Sequence, residues 1–146
     1  MIKKTHHHSE TIELGKWLGD KVKNQKSVIL LEGDLGAGKT TFTKGIALGY
    51  GVTRNISSPT FTIMKSYQVE EKQMHHLDLY RLDAHTEDYD LEEYIQEGDL
   101  VVIEWPNQAP QLIPSEYIKV ELTYLGDENR EIKITSVGKS YEKLGL

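Results

Sequence analysis

The chain of 146 residues lacks several features that would assign it to particular classes of protein. It contains no cysteine, which excludes disulfides and thiolate metal sites. No apolar run approaches the roughly 18 residues of a membrane span, and no apolar segment follows the first basic residues as in an export signal. We therefore expect no membrane insertion and no export, and we expect a cytoplasmic protein.

Positive charge is also scarce. The chain has 17 lysines and arginines against 23 aspartates and glutamates, a formal net charge of −6, and its only arginines are Arg54, Arg81 and Arg130. Because proteins that grip nucleic acid unaided usually present a basic stripe, this balance disfavours independent tight nucleic-acid binding. Residues 83–99 hold eight of the acids and no lysine or arginine. That stretch is typical of a solvated loop and helix face, or alternatively of a docking surface for a basic partner.

Glycine, by contrast, is concentrated in residues 33–40, which read GDLGAGKT and match G-x-x-x-x-G-K-[ST]. The motif follows an apolar run that predicts a buried strand, and it precedes a segment of helical character. In that context the glycines let backbone N–H groups converge on phosphate oxygens, and the helix N-terminus adds a favourable dipole. Lys39 is placed to reach the β- and γ-phosphates, and the Thr40 hydroxyl to ligate Mg²⁺. The motif predicts a nucleoside triphosphate site rather than a chance glycine-rich turn.

Hydrophobic periodicity predicts a single α/β domain over residues 1–146. The length suffices for a core, and 38% hydrophobic with 27% charged residues is a globular composition. Helical spacing predicts helices over residues 9–22, with Ser9 as N-cap, 39–48 and 88–96. Strands are predicted over 27–32, 60–69, 74–80, 100–103, 117–125 and 130–137. We expect a P-loop NTPase fold: a central, mostly parallel sheet flanked by helices, with antiparallel strands and a C-terminal hairpin.

Further candidate residues lie beyond the motif. Glu104 ends a buried strand, which is where a magnesium-binding carboxylate belongs. The alternative is that Glu104 is an ordinary carboxylate of the loop that follows. Asp78 shares a strand face with His76, which is compatible with a site or with a surface strand. Thr60 lies where switch segments occur, and Ser-Pro-Thr is also ordinary loop chemistry. The histidines at 6–8 are typical of a solvated tail, with metal binding or a tag as alternatives.

The chain resembles the TsaE family, the bacterial ATPase of tRNA threonylcarbamoyladenosine synthesis, in four segments: residues 33–41 (GDLGAGKTT), 58–62 (SPTFT), 76–82 (HLDLYRL) and 103–106 (IEWP). Their order and spacing match, and the resemblance spans about residues 9–137. It implies an ATPase that works with TsaB and TsaD, which transfer the threonylcarbamoyl group to tRNA. The ATPase would support their repeated turnover through Mg²⁺-dependent ATP hydrolysis, and would reach tRNA only through these partners.

The resemblance also implies roles for individual residues. Lys39, Asp78 and Glu104 would be catalytic, with either Asp78 or Glu104 activating the attacking water. Mg²⁺ would be held by Thr40 and Glu104, and Thr60 would sense the γ-phosphate. Trp105 would shape the site or the partner contact. The adenine pocket would draw on residues 8–11, with Thr11 as a candidate, and on the C-terminal hairpin, where Arg130 is the candidate. The other nucleotide contacts would come from the loop and its helix: Leu35, Gly36, Ala37, Gly38, Lys39, Thr40 and Thr41.

Two other functions remain open on the sequence alone. A small-molecule kinase would need an acceptor pocket and usually a lid with several basic residues. The chain has no arginine between Arg81 and Arg130, which disfavours such a lid. A nucleotide-gated scaffold would instead use bound ATP or ADP to set a docking surface, with incidental hydrolysis. It differs from a partner-activated ATPase in whether the partner's reaction needs hydrolysis.

Overall fold

Seven strands form one mixed sheet in the computed structural model, which describes residues 1–57, 63–82 and 90–146. The strands are β1 (Ile2–Thr5), β2 (Ser27–Glu32), β3 (Met64–Val69), β4 (Lys72–Asp78), β5 (Leu100–Glu104), β6 (Tyr117–Tyr124) and β7 (Arg130–Val137). The helices are α1 (His8–Lys21), α2 (Lys39–Tyr50) and α3 (Leu91–Glu97). Short 3-10 helices cover Pro106–Gln108, Pro110–Leu112 and Lys139–Leu144.

The central strands of the sheet are parallel and the outer ones antiparallel. The strand order is β1-β7-β6-β2-β5-β4-β3. β2 pairs in parallel with both β5 and β6, and β4 pairs in parallel with β5. The β1–β7, β6–β7 and β3–β4 pairs are antiparallel. The structure therefore has the expected α/β architecture and C-terminal hairpin. The carboxyl ends of β2, β5 and β4 meet at one edge, where ligands bind in open α/β sheets.

The central strands β2 and β5 are buried on both faces, as their consecutive apolar positions predict. Ile29 and Leu31 of β2 pack in one core with Phe42 of α2 and with residues of α1. Val28 and Leu30 point the other way, into a second core with α3. No helix in the described parts of the chain is long and apolar enough to cross a membrane.

The helices α1 and α2 touch backbone to backbone through glycines. A β-carbon on Gly15 would lie 2.5 Å from the carbonyl oxygen of Phe42, and one on Gly19, Gly45 or Gly49 would also overlap the facing backbone. Small residues permit this approach because no side chain separates the two helices. Since α2 begins at the glycine-rich motif, its contact with α1 fixes where the first turn of α2 lies.

Some element boundaries differ from prediction where contacts distant in sequence decide them. α1 begins at His8, with His7 rather than Ser9 as N-cap, because the His8 amide donates to Glu128 Oε1 at 3.0 Å. β4 begins at Lys72 rather than at residue 74, because its first residues pair with the end of β3. The first residues of the strand predicted over 60–69, residues 60–62, lie outside the described residues.

The N-terminal residues are part of the sheet, a feature that the sequence analysis missed. β1 pairs with β7, and the terminal ammonium of Met1 donates to the carbonyl of Ile134 at 2.9 Å. The histidines at 6–8 are exposed, as expected, but His6 Nδ1 lies 2.8 Å from Asn129 Oδ1. They are therefore not on a loose tail. The described residues contain no group of three or more histidines and acids that could hold a metal ion.

Candidate nucleotide-binding site

The glycine-rich loop, residues 33–38, connects β2 to α2 at the carboxyl edge of the sheet. Gly36 (φ 80°) and Gly38 (φ 100°) have left-handed backbone conformations that favour glycine. The Ala37 amide donates to the carbonyl of Asp34 at 3.0 Å and closes a turn. Gly38 is the N-cap of α2, and the first turn of that helix contains no acidic residue. This helix end therefore has no anion of its own, as in helices whose N-termini bind phosphate.

Arg130, the first residue of β7, holds the loop from behind. Its Nε donates to the carbonyl of Ala37 at 3.0 Å, and one terminal nitrogen donates to that of Gly36 at 3.3 Å. The other terminal nitrogen donates to the carbonyls of Asp127 and Asn129 at 3.0 and 2.9 Å. Because the C=O and N–H of a trans peptide point in opposite directions, fixing the two loop carbonyls aims the following amides away from Arg130. The guanidinium thus orients the loop.

Lys39, the first residue of α2, is buried beside the loop. Its ammonium donates to the carbonyl of Gly33 and, at 3.3 Å, to that of Asp34. The ammonium also lies 3.7 Å from the centre of the Trp105 ring, a cation–π contact. Burial lowers the pKa of Lys39, and nearby carboxylates, Glu104 first, oppose that shift. A cation is therefore held at the loop by weak acceptors that stronger anions can replace.

Trp105 forms one wall of the site. It follows β5 in a left-handed backbone conformation, with φ 57° and ψ 50°. That conformation is strained for a bulky residue and persists only where the surroundings impose it, which is common at functional sites. Its ring packs against the ring of Tyr80, with centroids 4.9 Å apart, and against the ammonium of Lys39.

Asp78 and Glu104 end neighbouring parallel strands and are directly paired in the β4–β5 register. Glu104 also pairs with Leu31, near the end of β2. Asp78 is half-buried, and its Oδ1 accepts from the Tyr80 amide at 3.0 Å. Burial raises the pKa of Asp78 above its ordinary value, and the Tyr80 amide opposes that shift. Glu104 is buried, with its Oε2 at 2.5 Å from His76 Nε2. Two carboxylates in different surroundings thus meet at this edge.

A cavity of about 310 Å³ lies between the loop, the start of α2 and the ends of β4 and β5. Residues from segments far apart in the sequence line it: His8, Leu35, Gly36, Gly38, Lys39, Thr40, Thr41, Asp78, Glu104, Trp105 and Arg130. Most of the residues predicted from the sequence therefore surround one opening.

Two of the predicted site residues do not line this cavity, and a third lies outside the described residues. Thr11 is buried, and its hydroxyl is hydrogen-bonded to that of Thr5 at 2.8 Å, because α1 turns it towards β1. His8, about one turn earlier, lines the cavity instead. Ala37 belongs to the loop, but its side chain is buried. Thr60 lies outside the described residues, so its role stays a prediction.

No role for His76 followed from the sequence, and His8 was expected only as part of the segment 8–11 at the adenine pocket. The position of His8 beside the loop follows from the pairing of β1 with β7, which no local pattern reveals. For His76 a signal existed, because strand alternation places it on the same face as Asp78. What could not be read from the sequence is that Glu104, on the next strand, reaches its ring.

The described part of the acidic stretch, residues 90–99, contains α3. This helix buries Leu91 and Ile95 and exposes Glu92, Glu93 and Glu97. The pattern agrees with the expectation of a solvated helix face. The rest of the stretch, residues 83–89, lies outside the described chain, and docking of a basic partner there stays a prediction.

Comparison with known proteins gives one family. A family model described as threonylcarbamoyl adenosine biosynthesis protein TsaE matches residues 5–132. Proteins named tRNA threonylcarbamoyladenosine biosynthesis protein TsaE are similar over most of the chain. That of Bacillus subtilis is 45% identical over 117 residues, 80% of this chain and 74% of the relative. That of a Nostoc species is 43% identical over 130 residues, 86% of this chain and 79% of the relative.

More distant relatives cover as much of the chain. The Treponema pallidum protein of the same name is 35% identical over 127 residues, 86% of this chain and 93% of the relative. Among solved structures, the crystal structure of Bacillus subtilis YdiB is similar with a TM-score of 0.82 and 35% identity, and the match covers 99% of this chain and 90% of that chain. The α/β sheet and its helices are therefore shared with an experimentally determined fold.

Proposed function

The chain belongs to the TsaE family, and from this premise we propose that it is the Mg²⁺-dependent, ATP-hydrolysing component of tRNA threonylcarbamoyladenosine biosynthesis in the cytoplasm. The observation that carries the proposal is the meeting of Lys39, Asp78 and Glu104 around one cavity beside the glycine-rich loop. Transfer of a phosphoryl group to water requires a cation that binds the phosphates, a carboxylate that holds the metal ion and a group that orients the water. Each has a candidate here.

The residues at the cavity fit a nucleoside triphosphate and its Mg²⁺. Thr40 and Glu104 offer a hydroxyl and a carboxylate, the oxygen donors that Mg²⁺ prefers, and both line the cavity. Among the described residues, and apart from its two chain neighbours, no atom would lie within 4 Å of a β-carbon on Gly36, so the loop leaves open space there. When bound, Mg²⁺ would neutralise charge on the phosphate oxygens. Lys39 would exchange the loop carbonyls for those oxygens, which are stronger acceptors.

We assign the attacking water to Asp78 rather than to Glu104. Asp78 lines the cavity, and burial raises its pKa above the ordinary value, which makes its carboxylate a stronger base. Glu104 has one oxygen engaged by His76 and is better suited to hold the metal. Arg130 and, in place of Thr11, His8 stand at the cavity as candidates for contacts with the nucleoside.

We further propose that TsaB and TsaD activate hydrolysis and that tRNA is reached through them. Arginine fingers accelerate hydrolysis by roughly 10³- to 10⁵-fold. The basal rate therefore depends on whether the arginine belongs to this chain or to a partner. Among the described residues, Arg130 is the one arginine that lines the cavity, and its hydrogen bonds hold the loop backbone. A partner-supplied cation fits that arrangement. The net charge of −6 also suits a component that does not grip tRNA itself.

The first test is ATP turnover by the purified chain, alone and with a TsaB–TsaD pair. We expect a low basal rate that rises with the partners. Asp78→Asn should lower the stimulated rate by about 10²- to 10⁴-fold, the usual effect of removing a general base, while ATP binding persists. Glu13→Gln, an exposed carboxylate on α1 outside the acidic stretch, is the matched control. A stimulated rate unaffected by Asp78→Asn would overturn the assignment of the base.

The same assay separates hydrolysis from scaffolding. Glu104→Gln should abolish stimulated hydrolysis and, with it, repeated tRNA modification by the partners. If that variant still supports modification at the full multiple-turnover rate, the chain acts as a nucleotide-gated scaffold. ATP consumption that depends on a small hydroxylated acceptor would favour a kinase instead.

A further inference from the structure

His76 lies directly beneath the cavity and does not line it. Its side chain is fully buried, and its Nε2 is 2.5 Å from Oε2 of Glu104. It stands on β4, two residues before Asp78, and therefore on the same face of the sheet. In the parallel register His76 pairs with Val102, which precedes Glu104 by two residues and lies on the same face of β5. The imidazole, which does not line the cavity, thus contacts the carboxylate of Glu104, a residue that does.

The chemistry of the contact fixes the tautomer. An ionised carboxylate has only hydrogen-bond acceptors, so a proton must lie on Nε2 of His76. Nδ1 is buried and has no hydrogen-bond partner among the described residues. One oxygen of Glu104 therefore accepts a hydrogen bond from Nε2 of His76, and this is the one hydrogen bond of the ring among the described residues.

We infer that His76 is a positioning residue for the proposed Mg²⁺ site: it binds Oε2 of Glu104 and holds the rest of the carboxylate towards the cavity. This inference rests on the proposed function, because it gives a purpose to Glu104 as the metal acid. A glutamate has several freely rotating bonds, and one anchored oxygen removes most of that freedom before the metal arrives. Partners behind a metal ligand commonly contribute 10- to 100-fold to metal affinity.

The chain supplies a matched control in the preceding residue. His75 is also buried, but it points to the other face of the sheet, where its Nδ1 lies 2.7 Å from Ser66 Oγ and its ring contacts Tyr94. Removing His75 perturbs a buried histidine of the same strand without touching Glu104. Any effect that both substitutions share reflects packing, and an effect of His76 alone reflects the carboxylate.

The test is a titration of a fluorescent ATP analogue at a series of Mg²⁺ concentrations. We expect His76→Leu to raise the Mg²⁺ concentration needed for half-maximal tight binding by about tenfold or more. Binding in EDTA should stay within about twofold of wild type, and His75→Leu should leave the Mg²⁺ requirement unchanged. His76→Gln, whose amide nitrogen can stand where Nε2 stands, should restore the requirement to within about threefold.

Each result has a defined meaning. A folded His76→Leu protein with the wild-type Mg²⁺ requirement overturns the inference, as does an equal loss of affinity in EDTA. If His76→Leu does not fold, His76→Gln is compared with His76→Asn, whose amide is one carbon too short to reach Glu104. If these two variants need the same Mg²⁺ concentration for half-maximal tight binding, the inference is overturned. A wild-type protein whose nucleotide binding ignores Mg²⁺ would instead overturn the proposed function.

A second readout needs neither metal nor nucleotide. Long-range proton–nitrogen NMR spectra of the imidazole rings in the metal-free protein report which ring nitrogen carries the proton. We expect the proton of His76 on Nε2, and expect its signal to move in Glu104→Gln but not in Glu93→Gln. A proton found on Nδ1 with Nε2 bare would contradict the proposed contact.

Discussion

Gly15→Ala tests the glycine contact that positions α2. A β-carbon at this position would lie 2.5 Å from the carbonyl oxygen of Phe42, 3.0 Å from the amide nitrogen of Ile46 and 3.1 Å from the Cα of Gly45. Carbon–oxygen contacts across helix interfaces are normally no closer than about 3.3 Å, so the first distance is short by about 0.8 Å. All three neighbours are backbone atoms of α2, which cannot rotate away as a side chain would. The helices must separate.

The expected cost follows from two opposing terms. Overpacking a close-packed contact costs about 1–3 kcal/mol, and a clash with three backbone atoms belongs at the upper end. Alanine is favoured over glycine within a helix by about 1 kcal/mol, which offsets part of that cost. We therefore expect the free energy of unfolding to fall by about 2 kcal/mol. For a domain of this size, that corresponds to a fall in Tm of roughly 4–8 °C.

Urea unfolding followed by far-UV circular dichroism measures this change. Lys16→Ala is the matched control, because it puts the same residue at the next, exposed position of α1. Its effect should stay within about 0.5 kcal/mol. If Gly15→Ala is as stable as wild type, or more stable, the helices do not approach as closely as described and the reasoning is refuted.

Three further predictions concern the site and the sheet. Arg130→Lys should weaken the binding of an ATP analogue about tenfold, because an ammonium cannot hold two loop carbonyls in a fixed fork. Arg54→Lys is the control, and an Arg130→Lys protein that binds the analogue as tightly as wild type would contradict loop anchoring. Asp78→Asn should raise Tm at pH 7, since burial raises the pKa of this carboxyl above 3.8 and so disfavours the ionised form in the folded state. The gain should vanish as the pH falls below that value, and a gain that grows on acidification would contradict it. Burial lowers the pKa of His75 below 6.5, so its contribution to stability is complete above pH 6.5 and is lost as the pH falls further. His75→Gln should therefore flatten the decline of Tm below that pH, and an unchanged pH profile would refute this.

Much of the fold could be predicted because its central strands carry local signals. The predicted bounds of β2 and β7 match the structure, since Ser27 and Glu32 flank the apolar run of β2, and the alternation of β7 runs from Arg130 to the glycine at position 138. β1 could not be predicted in this way. Its four residues include Lys3 and Lys4, and only pairing with β7, more than 120 residues away, makes it a strand.

The residues that surround the candidate site could also be predicted in part. Lys39, Asp78 and Glu104 belong to motifs whose spacing reflects strand ends, so topology brought them together as expected. The role of Arg130 could not be read from the sequence, because its acceptors are backbone carbonyls of a loop 93 and 94 residues earlier. A backbone carbonyl has the same chemistry in every residue and leaves no trace in the choice of amino acid.

The guanidinium of Arg130 has an electrostatic consequence as well. In the described parts of the chain no carboxylate forms an ion pair with it, and its hydrogen bonds go to carbonyl dipoles. Dipoles solvate a charge without cancelling it, so a full positive charge remains fixed directly behind the loop. In a partly buried setting that charge is weakly screened and attracts anions over a longer range than a hydrogen bond reaches. The charge of Arg130 therefore favours an anion at the loop before any group on the loop surface moves.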